Sequence, residues 1–219
     1  MLTLLWATSA FALDPIITGA PAGPLRQIGD GFTSAYVLDV GDGTAALFDT
    51  GIDPRASSLR AALDYLGILP ENVTDIFLTH GHFDHIVGVS AFPGAQVHAH
   101  VEELSLLEDA GVEVTFAHLD GDLVEVGPYT VEVLHVPGHT PGHSAFLVDG
   151  ALVLGDSLIV DGGRLRPIPP GFSDDPGQNI ISLLDLATRL LPRRDEITHL
   201  APMHSGLSSD PDRLFSYVD

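Results

Sequence analysis

The run His80-Gly81-His82-Phe83-Asp84-His85 constrains this chain more than any other feature. Four side chains able to ligate a metal fall within six residues, directly after Val73 to Thr79, an apolar stretch that reads as a buried strand. On a regular strand, positions 80, 82 and 84 share one face, and a turn at the strand end can converge all four. Neutral imidazoles with a carboxylate are donors that Zn, Fe or Mn accept. A lone His-x-His pair arises easily by chance; the full run after a hydrophobic strand does not. The fold therefore has to carry this strand end to a place where histidines and carboxylates from distant segments can meet it.

Three later positions supply such partners. His139 stands in Val136-Pro-Gly-His-Thr-Pro-Gly-His143, Asp156 ends the stretch Ala151 to Gly155, and His204 follows His199 to Pro202. Each follows a predicted strand. The chain has no Cys, so metal ligation falls to His and carboxylate, and disulfide scaffolds and Cys nucleophiles are excluded.

The rest of the chain reads as short strands punctuated by Gly, Asp and Pro. Phe32 to Val40 and Thr44 to Phe48 flank the turn Gly41-Asp42-Gly43. Asp53-Pro54 predicts a helix start, with Leu59, Ala62, Leu63 and Leu66 on one face. Ala95 to Ala99 predicts a strand and Val101 to Asp109 a short helix. Leu123 to Val126 with Tyr129 to His135, and Ala145 to Val148 with Ala151 to Leu154, predict two further hairpins. Residues 161–175 suit a surface loop, Gln178 to Leu191 a helix with apolar Ile180, Leu183, Leu184, Ala187, Leu190 and Leu191, and Pro211 to Tyr217 a closing helix. The picture is two β-rich halves, each followed by helix. At 219 residues the chain suits one domain, here 13–219.

These motifs, in this order, resemble the metallo-β-lactamase superfamily from about Gly31 onward. His80, His82, Asp84 and His85 match its HxHxDH signature, and Asp49-Thr50-Gly51 resembles its structural Asp-x-Gly element. The resemblance implies an α/β fold, a four-layer αββα sandwich with the metal site at the sheet edges. It implies a first metal on His80, His82 and His139, a second on Asp84, His85 and His204, and Asp156 bridging the two. Asp49 is then structural. The expected cofactors are two divalent metal ions, Zn2+ foremost, with Fe or Mn as the other choices. The implied chemistry is hydrolysis by a metal-bridging hydroxide, with Asp84 orienting it and taking its proton.

Within the superfamily, Thr-His-x-His-x-Asp-His with Pro-Gly-His-Thr-Pro-Gly-His is most similar to the glyoxalase II branch. That branch carries a C-terminal helical region with basic residues for glutathione, whereas Ser205 to Asp219 contains only Arg213. Lactonases of the family place a Tyr shortly after the bridging Asp, where this chain has Leu158, Ile159 and Val160. The substrate class is therefore an ester, thioester or lactone of a small molecule. Two rival readings are a mononuclear-iron persulfide dioxygenase-like oxidoreductase using His80, His139 and Asp156, and a non-catalytic metal-binding protein on the same fold. The first leaves His82, His85 and His204 without a role.

Thirty acidic residues stand against nine basic ones, a formal charge of -21 that repels polyanions and argues against a nucleic-acid partner. No stretch suits a membrane span, and no motif specifies an oligomeric state. Residues 1–12 end in Ala10-Phe11-Ala12, which resembles a secretory cleavage site and predicts a periplasmic or secreted protein, with a cytoplasmic one as the alternative. Among the other histidines, His98 and His100 alternate on a strand without carboxylates at suitable spacing, and His118, His135 and His199 read as structural. His143 suits a role orienting the His139 loop. Arg164 and Arg166 sit in a loop from which substrate contacts could come.

Overall fold

The computed structural model describes residues 13–218, so the export reading of residues 1–12 lies outside it. In the first half the elements are β1 (Pro21–Ala22), β2 (Leu25–Gly29), β3 (Ser34–Asp39), β4 (Ala45–Phe48), α1 (Ser57–Leu66), β5 (Val73–Phe77), α2 (Phe83–Ile86), β6 (Gln96–His100), α3 (Leu104–Asp109) and β7 (Phe116–His118). The second half holds β8 (Leu123–Val126), β9 (Tyr129–His135), β10 (Ser144–Val148), β11 (Ala151–Gly155), β12 (Leu158–Asp161), β13 (Arg164–Pro167), α4 (Pro176–Leu190), β14 (His199–Pro202) and α5 (Asp212–Phe215).

Two main sheets result. Strands β1 to β7 lie side by side in chain order as a seven-stranded sheet. β1 to β4 pair antiparallel, and β4 to β7 pair parallel with helical turns in the crossovers. The five-stranded sheet runs β14-β11-β10-β9-β8 and is antiparallel except for β11 beside β14, whose crossover includes α4. β12 and β13 form a separate hairpin.

Strand periodicity of two sorts the side chains into layers. On β3 and β4, Tyr36, Leu38 and Phe48 meet Phe146, Val131 and Val153 of the other sheet, while Val37 and Leu47 point the opposite way. Leu59 and Leu63 of α1 and Leu107 of α3 cover that outer face. On β11, Leu152 and Leu154 pack outward against Leu183, Leu186 and Leu190 of α4 and Phe215 of α5. The result is the expected α/β four-layer αββα sandwich. Phe48, Phe77 and Phe146 form an aromatic cluster between the sheets, with ring centroids 5.2, 5.5 and 5.7 Å apart.

Several boundaries differ from expectation for local reasons. α1 starts at Ser57 because the Asp53 carboxylate accepts the Arg55 and Ser57 N–H groups, both at 3.0 Å, and Ala56 takes a left-handed φ of 47°. Asp53-Pro54 is therefore a turn ahead of the helix. β1, β2 and β7 were not expected, and residues 164–167 of the expected loop pair as a strand with β12. On α4 the buried face is Leu183, Leu186, Ala187 and Leu190, whereas Ile180 and Leu184 lie on the solvent side.

Candidate metal centre

The site residues gather near the C-terminal ends of strands, where loops can converge without breaking the ladders. Asp49 follows β4, His80 and His82 follow β5, His139 lies between β9 and β10, Asp156 follows β11, and His204 follows β14. Asp84 and His85 occupy the single turn α2. The two sheets are tied at this end by the Ser144 N–H, which donates to the Thr79 carbonyl at 2.8 Å.

Asp49 sets the local geometry. It is fully buried and held at φ 57°, a left-handed conformation that Asp tolerates better than most residues. Its Oδ1 accepts the Thr79 N–H at 2.7 Å, and its Oδ2 accepts the Thr79 hydroxyl at 2.7 Å and the His85 Nδ1–H at 2.7 Å. Since that hydroxyl proton goes to Asp49, the Thr79 oxygen is free to accept from His80 Nδ1, 3.0 Å away. One carboxylate thereby fixes the tautomer of two histidines, turning the Nε2 lone pairs of both toward the centre. His204 is oriented the same way, its Nδ1–H donating to the Phe32 carbonyl at 3.2 Å.

Two ligand groups stand side by side. In the first, His80 Nε2 lies 3.1 Å from His82 Nδ1 and 3.1 Å from His139 Nε2, and His82 Nδ1 lies 2.9 Å from His139 Nε2. Burial holds all three imidazoles below their ordinary pKa, His139 at about 4, so their lone pairs stay available. In the second group, His204 Nε2 is 3.1 Å from Asp84 Oδ2, and His85 Nε2 is 3.5 Å from it. Burial opposes a charged imidazole at His204, but hydrogen bonds to Asp156 and Asp84 raise its pKa to about 10. Electrostatics that hold a proton so firmly also favour a cation.

Asp156 faces both groups. Its Oδ2 is 3.1 Å from His204 Nε2 and 3.6 Å from His139 Nε2, and its Oδ1 is 3.5 Å from His85 Nε2. Burial would keep Asp156 protonated, yet the electrostatic pull of His85 and the close contact with His204 hold it ionised.

The residues present fit divalent cations. Three imidazole nitrogens meeting at one point cannot satisfy one another with shared protons. Donors around a tetrahedral cation stand roughly 3.3 Å apart, and the separations here are 2.9–3.6 Å. His85 Nε2 and Asp156 Oδ1 are moreover buried without a hydrogen-bond partner. The trio Asp49, His80 and His85 is also close enough to hold an ion, but Asp49 already accepts three hydrogen bonds.

His143 is fully buried, and its Nε2 accepts the Asp156 N–H at 3.0 Å, so it steadies the residue between the groups. The other histidines form a separate set. His98 does have a carboxylate partner, Asp75 on the adjacent strand at 2.9 Å, and bonds His118 at 2.9 Å. Spacing along one strand cannot reveal a partner across the ladder. His100 stacks on His135 with centroids 3.8 Å apart, and His199 meets Thr198 at 2.9 Å. Arg166 pairs with Asp161 at 2.8 Å, and Arg164 is exposed on β13.

Sequence reasoning missed three contributors. Phe32, 57% exposed, sets its ring edge against His204 at 5.3 Å between centroids, and Phe83, 62% exposed, stands between His82 and Asp84. Glu103 is buried beneath the first group and contacts two of its loops. A single Glu opening a short helix gave no sign of this.

The layered fold with a His/Asp cluster at the sheet edges defines a class of metal-binding proteins. The chain belongs to the metallo-β-lactamase superfamily, whose family model matches residues 28–201. A hydroxyacylglutathione hydrolase of Fuscovulum blasticum is 37% identical over 160 residues, covering 70% of this chain and 56% of that one. A hydroxyacylglutathione hydrolase of Pseudomonas aeruginosa is 35% identical over 195 residues, covering 83% and 69%. This chain spans about half to two thirds of the length of the curated relatives it matches. Among solved structures, a metallo-beta-lactamase family protein from Thermus thermophilus superposes with a TM-score of 0.66 at 25% identity, over 88% of this chain and 76% of that one.

Proposed function

We propose that this chain is a two-metal hydrolase acting on an ester, thioester or lactone of a small molecule. The carrying observation is the position of Asp156, whose carboxylate reaches toward a ligand group on either side. A single-ion oxidoreductase on His80, His139 and Asp156 gives Asp84, His85 and His204 nothing to do. Their convergence within 3.1–3.5 Å favours the two-ion reading.

His80, His82 and His139 would hold one ion, Asp84, His85 and His204 the other, and Asp156 would serve both. Divalent cations supply Lewis acidity there, lowering the pKa of water and polarising a carbonyl oxygen; Zn2+ suits the donor set. The protein's own part is arrangement. Asp84 is held ionised despite partial burial, chiefly by its contact with His204, so it can receive the proton an attacking water gives up. Asp49 and the Phe32 carbonyl keep ring N–H groups turned away from the reacting space. Phe32 and Phe83 offer exposed apolar faces beside it, suited to the hydrocarbon part of a substrate.

The thioester member of this class is supported by the hydroxyacylglutathione hydrolases that the chain resembles. The proposal covers thioesters as a class. It is tested by turnover of p-nitrophenyl esters, thioesters, lactones, phosphodiesters and β-lactams by metal-loaded protein. Metal-dependent turnover of one of the first three classes is expected. Asp84→Ala should reduce it by roughly 100-fold or more while leaving metal on the three-histidine group. Turnover that survives Asp84→Ala, or that needs no metal, overturns the reading.

A further inference from the structure

We propose that Glu103 is a positioning residue that locks the two loops carrying His80, His82 and His139, and so sets the metal affinity of that half of the centre alone. This rests on the two-ion reading above.

Glu103 is only 1% exposed, yet both of its carboxylate oxygens are in use. Oε1 accepts the Gly81 N–H at 2.7 Å. Oε2 accepts the Thr140 hydroxyl at 2.8 Å and the Gly142 N–H at 2.8 Å. Gly81 is the residue between His80 and His82, and Thr140 follows His139 directly. One side chain therefore bridges two loops that are 59 residues apart at their histidines. An ionised carboxylate is acceptor only, so three donors suit it, whereas a Gln at this position would turn an NH2 group toward one of them.

The packing agrees. A Cβ on Gly81 would press on Leu106 and on the Glu103 side chain, and one on Gly142 would overlap the Glu103 backbone. The glycines of His-Gly-His and Pro-Gly-His thus let both loops lie directly on the segment that presents Glu103. Glu103 makes no direct hydrogen bond to Asp84, His85 or His204. His85 is anchored by Asp49 and His204 by Phe32, both independent of Glu103.

The test titrates Zn2+ or Co2+ into apo-protein against a chromophoric chelator, in two backgrounds that each keep one half. His204→Ala keeps the three-histidine half, and His82→Ala keeps the Asp84/His85 half. Glu103→Gln should weaken binding roughly 10- to 100-fold in the His204→Ala background and change it less than about twofold in the His82→Ala background. Thermal melting of the apo forms checks that both fold. If Glu103→Gln does not fold, Thr140→Val removes one of the three donors and should show the same asymmetry at several-fold size. Equal losses in both backgrounds, or no loss in either, overturn the proposal. If the unmodified chain binds one ion, and His204→Ala keeps it, the two-ion reading fails while the Glu103 comparison in that background still decides its own question.

Discussion

Asp49 works through other residues, and its reach differs from that of Glu103. Through Thr79 it orients His80, and directly it orients His85, so it serves one histidine of each half. Asp49→Asn should therefore weaken metal binding in both halves, by roughly 10- to 100-fold in each, as read by the same chelator competition. A loss confined to one half would contradict the Thr79 relay. His100 lies away from the candidate ligands, stacked on His135. Burial, and then the neighbouring His135, lower its pKa to about 4. Its folded pKa thus lies below the ordinary 6.5, and the unfolded chain binds the extra proton as pH falls. The stability this residue contributes is present above pH 6.5 and is lost on acidification toward pH 4. Denaturant unfolding at pH 7 and pH 5 should show a smaller acid loss for His100→Gln than for the unmodified chain. An equal loss would remove His100 as a cause.

At the scale of elements, the candidate ligand motifs stood out because their residue types are rare at such spacing and follow strands. The hairpins Leu123–Val126 with Tyr129–His135 and Ser144–Val148 with Ala151–Gly155 were legible from Gly and Asp at their turns. What escaped has physical reasons. β1 has two residues and β7 three, too few for a periodic pattern. Glu103 and Phe32 matter through tertiary contacts that no local spacing encodes. Helix α4 was recognised, but its face was drawn too wide. Three apolar residues counted toward that face, Ile180, Leu184 and Leu191, are 46%, 37% and 37% exposed, while Leu183 is fully buried. Leu183→Ala should cost about 2–5 kcal/mol, and Leu184→Ala less than about 1 kcal/mol. Equal costs measured by denaturant unfolding would mean that the helix is rotated from the face described.

At the scale of the molecule, the two sheets and the centre depend on each other. The candidate ligands leave both sheets at one edge, β5 on one side and β9, β11 and β14 on the other, so an ion held there would tie the halves together. Metal binding should therefore stabilise the native state by linkage. At a free concentration a hundredfold above Kd, one site contributes about 2.7 kcal/mol, and stripping it with a chelator should lower Tm by roughly 5–10 °C in a chain of this length. An unchanged Tm would mean that the ligand loops are held without the ion. The reading of a centre built for two ions rather than one rests on Asp156 standing between two ligand groups. Its most direct test is elemental analysis of the purified chain, counting bound metal per folded molecule. About two divalent ions per chain are expected; a single iron per chain, unchanged after reconstitution with excess Zn2+, would overturn the two-ion centre.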